Sequence, residues 1–182
     1  MNSILKTVKG TSAGPDHIRY EMIGNLSKPD KLILLEYFNN IWLSRTFPSK
    51  WHEAIIIPIL KPGKDSLESD SYRPIALTNC LCKILERLVN NRLLYVLEKQ
   101  RLICKFQSGF RKKRCTYDNL TRLESDIKSA FTTQTSILSV FLDLQKAYDM
   151  AWRRGILEKL YELGFRGNLP IFINNLMSDR TF

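Results

Sequence analysis

The chain has 182 residues, 44% of them hydrophobic and 25% charged, with a formal net charge of +10 and a pI near 9.6. That balance excludes a disordered tail and allows one domain with a real core or two small lobes. The positive charge points to a polyanionic partner, nucleic acid first, with an anionic membrane surface as the competing reading.

No stretch supplies the ~18 uninterrupted apolar residues of a membrane-spanning helix, and the N-terminus, Met1-Asn2-Ser3-Ile4-Leu5-Lys6, lacks an apolar signal core. An intracellular protein, nuclear or cytoplasmic, with no membrane partner is expected. Cysteines 80, 82, 104 and 115 form no CxxC pair, and His17 and His52 lie far off in sequence, so the spacing supports free thiols rather than zinc. Asn25-Leu26-Ser27 has the form of a glycosylation acceptor but stands in no secretory context.

In chain order, Ser12-Ala13-Gly14-Pro15-Asp16 is turn chemistry, and Asp16 is placed to cap a short helix starting at His17. After the break at Ser27-Lys28-Pro29-Asp30, the residues Leu32, Leu35, Phe38 or Asn39, and Trp42 give a helical stripe over 30–46, ended by Phe47-Pro48. Ala54 to Leu60 reads as a strand, and Pro58 within it requires an edge or a bulge.

Lys61-Pro62-Gly63-Lys64-Asp65 is a turn whose two ammonium groups can reach a phosphate; an exposed basic turn is the alternative, and the GxxxxGK spacing of a P-loop is absent. Tyr72 to Leu77 is a short extended segment. Arg73, stiffened by Pro74, either forks onto phosphate oxygens or pairs with Asp70 or Glu68.

Leu81, Ile84, Leu85 and Leu88 set a helical period that runs to about Glu98. Lys99 to Arg114 then carries seven basic residues and no acid, with Phe106, Gly109 and Phe110 inside. This is either a backbone-tracking, base-stacking surface or a solvated loop anchored by its phenylalanines. Leu120, Leu123, Ile127 and Phe131 mark an amphipathic helix.

Ile137 to Leu142 is an apolar run broken only by Ser139, suited to a buried strand that delivers Asp143 at its end. That carboxylate is either catalytic, with the aromatic Tyr148 five residues on, or a helix cap. Asp149 reads as a cap rather than half of a paired-carboxylate site. Ile156 to Leu163 marks a helix closed by Gly164, and another helix covers Pro170 to Met177. Few strands interleaved with helices give an α/β or α+β class.

In order along the chain, Ala13-Gly14-Pro15-Asp16, WHEAIIIPILKPGK (51–64), SYRPIAL (71–77), KILER (83–87), FQSGFR (106–111), VFLDLQKAYD (140–149) and Arg180-Thr181-Phe182 resemble the reverse transcriptase of non-LTR retrotransposons. The jockey-like branch is nearest, and the resemblance covers nearly the whole chain.

The resemblance implies the fingers of a right-hand polymerase with an N-terminal helical extension over 1–135, and the beginning of the palm over 136–182. It gives Asp143 the role of the first catalytic, metal-binding aspartate. Lys61 and Arg73 become fingers residues on the incoming triphosphate, and Tyr148 a steric gate against a 2′-hydroxyl. Gln107, Gly109, Phe110 and Arg111, continued by Lys112, Lys113 and Arg114, become a nucleic-acid-binding stretch. The implied cofactor is a pair of Mg2+ ions, with Mn2+ as a substitute, and the implied partners are RNA template, DNA primer and deoxynucleoside triphosphates.

In the family a Tyr-Ala-Asp-Asp hairpin follows the Arg-Thr-Phe segment and supplies the other metal-binding carboxylates. This sequence contains no Asp-Asp pair. The implied protein is therefore a fragment truncated before the catalytic hairpin and inactive by itself as a polymerase. A non-catalytic nucleic-acid-binding remnant is the alternative.

Overall fold

The fold is described from a computed structural model of the chain, covering residues 12–147, 150–178 and 181. The readings of Tyr148, Asp149, Arg180 and Phe182 lie outside the described residues. The order of elements is α1 (Tyr20–Gly24), α2 (Lys28–Ser44), β1 (Ile55–Leu60), β2 (Tyr72–Leu77), α3 (Cys80–Lys99), α4 (Thr116–Thr132), α5 (Arg153–Glu162) and α6 (Asn168–Met177). Among the described residues, helices with one small antiparallel sheet make the class α+β.

The chain divides into two compact units, one of Met1–Asn91 with Arg153–Phe182 and one of Arg92–Trp152.

In the first unit, α2 starts where Ser27 Oγ accepts the Asp30 amide at 3.3 Å, with Pro29 just inside the helix. Both features suit a helix N-terminus, where amides lack internal partners. Phe38 and Ile41, one turn apart, are buried by it. They join Tyr20, Ile23, Trp51, Cys80, Cys82, Ile84, Leu85, Val89 and Phe172 in one core. Trp51 is ringed edge-on by Tyr37, Phe38 and Phe47 at centroid distances of 6.2, 6.4 and 5.7 Å, a geometry that aromatic quadrupoles favour.

At its other end α2 is closed from far along the chain. Arg45 takes a left-handed conformation (φ 61°). Its backbone carbonyl accepts from Asn175 Nδ2 at 2.8 Å, and its Nε donates to Asn168 Oδ1 at 2.8 Å. Asn168 Nδ2 in turn donates to the Trp42 carbonyl at 3.1 Å. Side chains of α6 thus satisfy carbonyls that the end of α2 leaves without helical partners.

Strands β1 and β2 form a two-stranded ribbon with Pro58 opposite Pro74. The register continues one step, the Lys61 amide donating to the Ser71 carbonyl at 2.8 Å. Lys61 and Ser71 are therefore a hydrogen-bonded pair, and by alternation the prolines form a non-hydrogen-bonded one. Neither proline costs a ladder bond. Each removes an outward-facing donor from a ribbon whose two strands are both edges, which blunts further pairing.

Two expectations need correction. The short helix begins at Tyr20, not His17: His17 has φ 57°, off the helical path, and Asp16 Oδ1 accepts from the Ile18 amide at 3.1 Å in a local turn. The apolar run 137–142 is not a buried strand. It has no regular structure, and Leu138, Val140, Phe141 and Leu142 are exposed. A strand needs a neighbour for its amides and carbonyls, and among the described residues the sheet holds only β1 and β2.

The remaining elements fall near their expected places. Gly164 (φ 84°) ends α5, with the Phe165 amide reaching back to the Leu160 carbonyl at 2.9 Å, the six-to-one bond of a glycine-terminated helix. Helix α4 forms as the periodicity requires, but none of its residues is buried.

Candidate nucleotide and nucleic-acid site

The hairpin positions two of the expected phosphate-facing cations. Lys61-Pro62-Gly63-Lys64 closes with the Lys64 amide on the Lys61 carbonyl at 3.2 Å and Gly63 at φ 72°. Proline second and a positive-φ glycine third are what a type II turn demands. Arg73 stands opposite Ile59, and Lys61 opposite Ser71. Side chains alternate along a strand, so Lys61 and Arg73 share one face as diagonal neighbours.

Lys61 Nζ donates to the Asp70 carbonyl at 2.6 Å, which fixes the ammonium over the loop. Tyr72, on the opposite face, ties the same loop down by donating from its hydroxyl to the Ser66 carbonyl at 2.9 Å. Among the described residues Arg73 makes no ion pair, so the pairing with Asp70 or Glu68 is not formed.

In the second unit the basic stretch is an ordered loop built on Arg111. Its Nε donates to Glu98 Oε1 and its Nη2 to Glu98 Oε2, each at 2.7 Å. Its Nη1 donates to the carbonyls of Cys104 at 3.1 Å and Gln107 at 3.0 Å. The Arg111 side chain is only 10% exposed. Forked ion pairs of this form are strong and geometrically exacting. The hydrogen bond from Arg111 and its charge hold the Glu98 carboxyl below the usual range, and Glu98 holds the guanidinium above its own.

Further ties complete the loop. Ser108, buried, donates from Oγ to Asn119 Oδ1 at 3.1 Å, and Gln107 Nε2 donates to the Gly109 carbonyl at 3.3 Å. Phe106 lies beneath two cations, Arg122 at 4.8 Å and Lys105 at 4.9 Å from the ring centroid. Phe110, Lys112, Lys113 and Arg114 face solvent, Phe110 being 85% exposed.

Asp143 is exposed on the irregular segment after residue 135. Among the described residues no group of three or more His, Cys, Asp or Glu is arranged to hold a metal ion. The described carboxylates therefore do not fit a two-metal centre.

Sequence reading missed Glu98, Asn119 and Arg122. Glu98 is 13 residues from Arg111 on another element, a separation with no local signature.

The reverse transcriptase (RNA-dependent DNA polymerase) family matches residues 59–181, a span that takes in the end of β1, the Lys61–Lys64 turn, β2, the basic loop and Asp143. The chain belongs to that family. It is 35% identical over 181 residues to the RNA-directed DNA polymerase from mobile element jockey of Drosophila melanogaster, covering 100% of this chain and 20% of the relative. Against the polymerase of the same name in Drosophila funebris it is 43% identical over 137 residues, 74% of this chain and 15% of the relative. The chain spans about a fifth of the length of the curated relatives it matches. These relatives place it in the non-LTR retrotransposon branch, the jockey-like one. No described helix is long and apolar enough to cross a membrane.

Proposed function

We propose that this stretch serves an RNA-directed DNA polymerase of a non-LTR retrotransposon as its fingers, over 1–135, and the first part of its palm, over 136–182. The observation that carries the reading is the hairpin, in a chain of this family, with a tethered ammonium and, on the same face, a guanidinium that makes no ion pair among the described residues. Two such cations offset the charge of a triphosphate, and the guanidinium adds a planar fork for phosphate oxygens.

In this reading Lys61 and Arg73 hold the incoming deoxynucleoside triphosphate, and Tyr148 excludes ribonucleotides. The loop from Gln107 to Arg114 meets the RNA template or the primer–template duplex. Asp143 offers one carboxylate to divalent metal, Mg2+ or Mn2+. The described residues do not complete that centre, so no chemical step is derived through it.

The exposed cations Lys112 to Arg114 beside the exposed Phe110 favour a second reading for the stretch alone: it binds nucleic acid without polymerising. Affinity would then come from phosphate contacts and fall steeply with salt.

The test is a graft. This chain replaces the matching fifth of the Drosophila melanogaster jockey polymerase, and primer extension on an RNA template is measured. The graft is expected to extend the primer, and Asp143→Asn to abolish extension while leaving template binding in place. Extension that survives Asp143→Asn would remove Asp143 from the catalytic role.

A further inference from the structure

In sequence the acid-free stretch from Lys99 to Arg114 reads either as a base-stacking, backbone-tracking surface or as a solvated basic loop. The structure divides the labour among its residues. Arg111 spends Nε, Nη1 and Nη2 inside the protein, on Glu98 and on two carbonyls of its own loop. It has little left to offer a phosphate. Its neighbour Phe110 is the reverse case: a large apolar ring, 85% exposed, on a backbone with φ 60°. A bulky side chain rarely adopts that conformation, which costs free energy and persists only where surrounding contacts impose it.

Those contacts are on both sides of Phe110. The Arg111 fork holds the following residue against the end of α3. The Gln107–Gly109 bond and the buried Ser108–Asn119 bond hold the preceding ones. The next three residues, Lys112, Lys113 and Arg114, are exposed cations. A rigidly displayed aromatic ring beside a short cationic track matches the chemistry of an unpaired nucleic-acid strand, with a base on the ring and phosphates on the ammonium groups.

We propose that Phe110 is a stacking platform for a base of single-stranded nucleic acid, and that Arg111, clamped on Glu98, is the positioning residue that holds it outward. The inference rests on the nucleic-acid reading above and deepens it. The ring is the contact, Lys112 to Arg114 are the phosphate track, and Arg111 acts through the loop. An aromatic face accepts any base, so the contact is sequence-tolerant. A duplex keeps its bases stacked on each other and leaves none for the ring.

The test uses the full chain and three fluorescein-labelled probes of equal length: single-stranded oligouridylate, the same backbone carrying abasic sites, and a blunt duplex. Phe110→Ala is expected to weaken binding of oligouridylate about ten-fold, the size of one stacked base. Its effect on the abasic strand and the duplex should be small, and the salt dependence should not change.

Arg111→Lys keeps the charge and loses the fork, so it should weaken oligouridylate binding as Phe110→Ala does. The sharpest arm is Glu98→Gln. Removing a negative charge beside a cationic loop tightens binding if Arg111 is a phosphate ligand, and weakens it if Arg111 is a positioner. Tightening by Glu98→Gln, or oligouridylate binding unchanged in Phe110→Ala, overturns the proposal. Because Phe110 is a surface residue, its variant stays informative even where Arg111 variants melt early by circular dichroism. Wild-type chain that binds none of the three probes at low salt sinks the nucleic-acid reading and this inference together, whereas wild-type binding with an indifferent Phe110→Ala sinks the inference alone.

Discussion

A methyl group added to Gly14 would lie 2.7 Å from the backbone nitrogen of Asn79 and 2.6 Å from the carbonyl carbon of Thr78. The Ala-Gly-Pro-Asp segment thus owes its glycine to close approach: its backbone seats against the connection from β2 into α3. Asn79, itself buried, anchors that connection by donating from Nδ2 to the Lys50 carbonyl at 3.0 Å.

Gly14→Ala is therefore expected to destabilise the first unit by roughly 1–3 kcal/mol, the usual cost of forcing extra volume into a packed site. The obstacle is backbone, which cannot swing aside as a side chain can. Thermal melts of the two proteins check this. A melting temperature unchanged by the substitution would mean that residues 13–16 do not seat where described.

Tyr20 gives a prediction at alkaline pH. Its phenol is pushed up to about 12, first by burial and then by the neighbouring Cys80 thiolate, with Arg87 opposing. The unfolded chain loses this proton near 10 and the folded protein near 12, so the contribution to stability is complete below pH 10 and is lost as pH rises through that window. In an ultraviolet titration, one of the seven tyrosines should ionise late, and Tyr20→Phe should abolish the late phase. Uniform titration near 10 would contradict the burial of Tyr20.

The Glu98–Arg111 fork makes the basic loop sensitive to acid. The Glu98 carboxyl is held low by the hydrogen bond from Arg111. A depressed carboxyl contributes fully above the ordinary glutamate value and loses that contribution as pH falls through its lowered one. The Arg111 Nε–H resonance should therefore keep its shift down through pH 5 and move only below the usual glutamate range, about 4.3. The same resonance in Glu98→Gln should show no such acid transition. A wild-type midpoint at or above the ordinary value would mean that the clamp does not form in solution.

Within the grafted polymerase, Arg73→Ala is expected to raise KM for deoxynucleoside triphosphate by about ten-fold or more, since a charge-assisted hydrogen bond is worth about 1.5–3 kcal/mol. Template affinity should change far less. Lys61→Met should act in the same direction, and the double variant should be less than additive, because the two cations share a face. A loss of template affinity with nucleotide dependence intact would move Arg73 to the nucleic-acid track.

What the sequence disclosed follows the range of the forces involved. Local geometry was legible: the Lys-Pro-Gly-Lys turn, the helical stripe through Phe38 and Trp42, the glycine stop at 164, and the edge placement demanded by Pro58. What depends on a distant partner was not. The run 137–142 has strand chemistry, yet strand formation is decided by a neighbour and not by composition. Arg111 falls in the expected nucleic-acid-binding stretch because its charge and motif are visible in sequence and its forked partner is not. His17 left the expected helix through a single backbone angle, which no side-chain pattern announces. The diagonal pairing of Lys61 with Arg73 rests on register, which the turn sets but the residue types do not spell out.

The asparagines that close α2 bear on the order of events during synthesis. Arg45 meets partners 123 and 130 residues later, and Phe172 enters a core whose other members are at Val89 or earlier. A nascent chain on the ribosome holds α2 with open terminal carbonyls, and a core with a gap, until residues 168–175 have emerged. Joining ends so far apart costs about 4 kcal/mol in chain entropy beyond a fixed term, so α6 must arrive before α2 can settle. Shortening the chain to end at residue 152 would therefore remove a wall of the first unit, leaving Trp42 and Phe47 facing water where Phe172 had lain 5.6 and 5.9 Å from their rings.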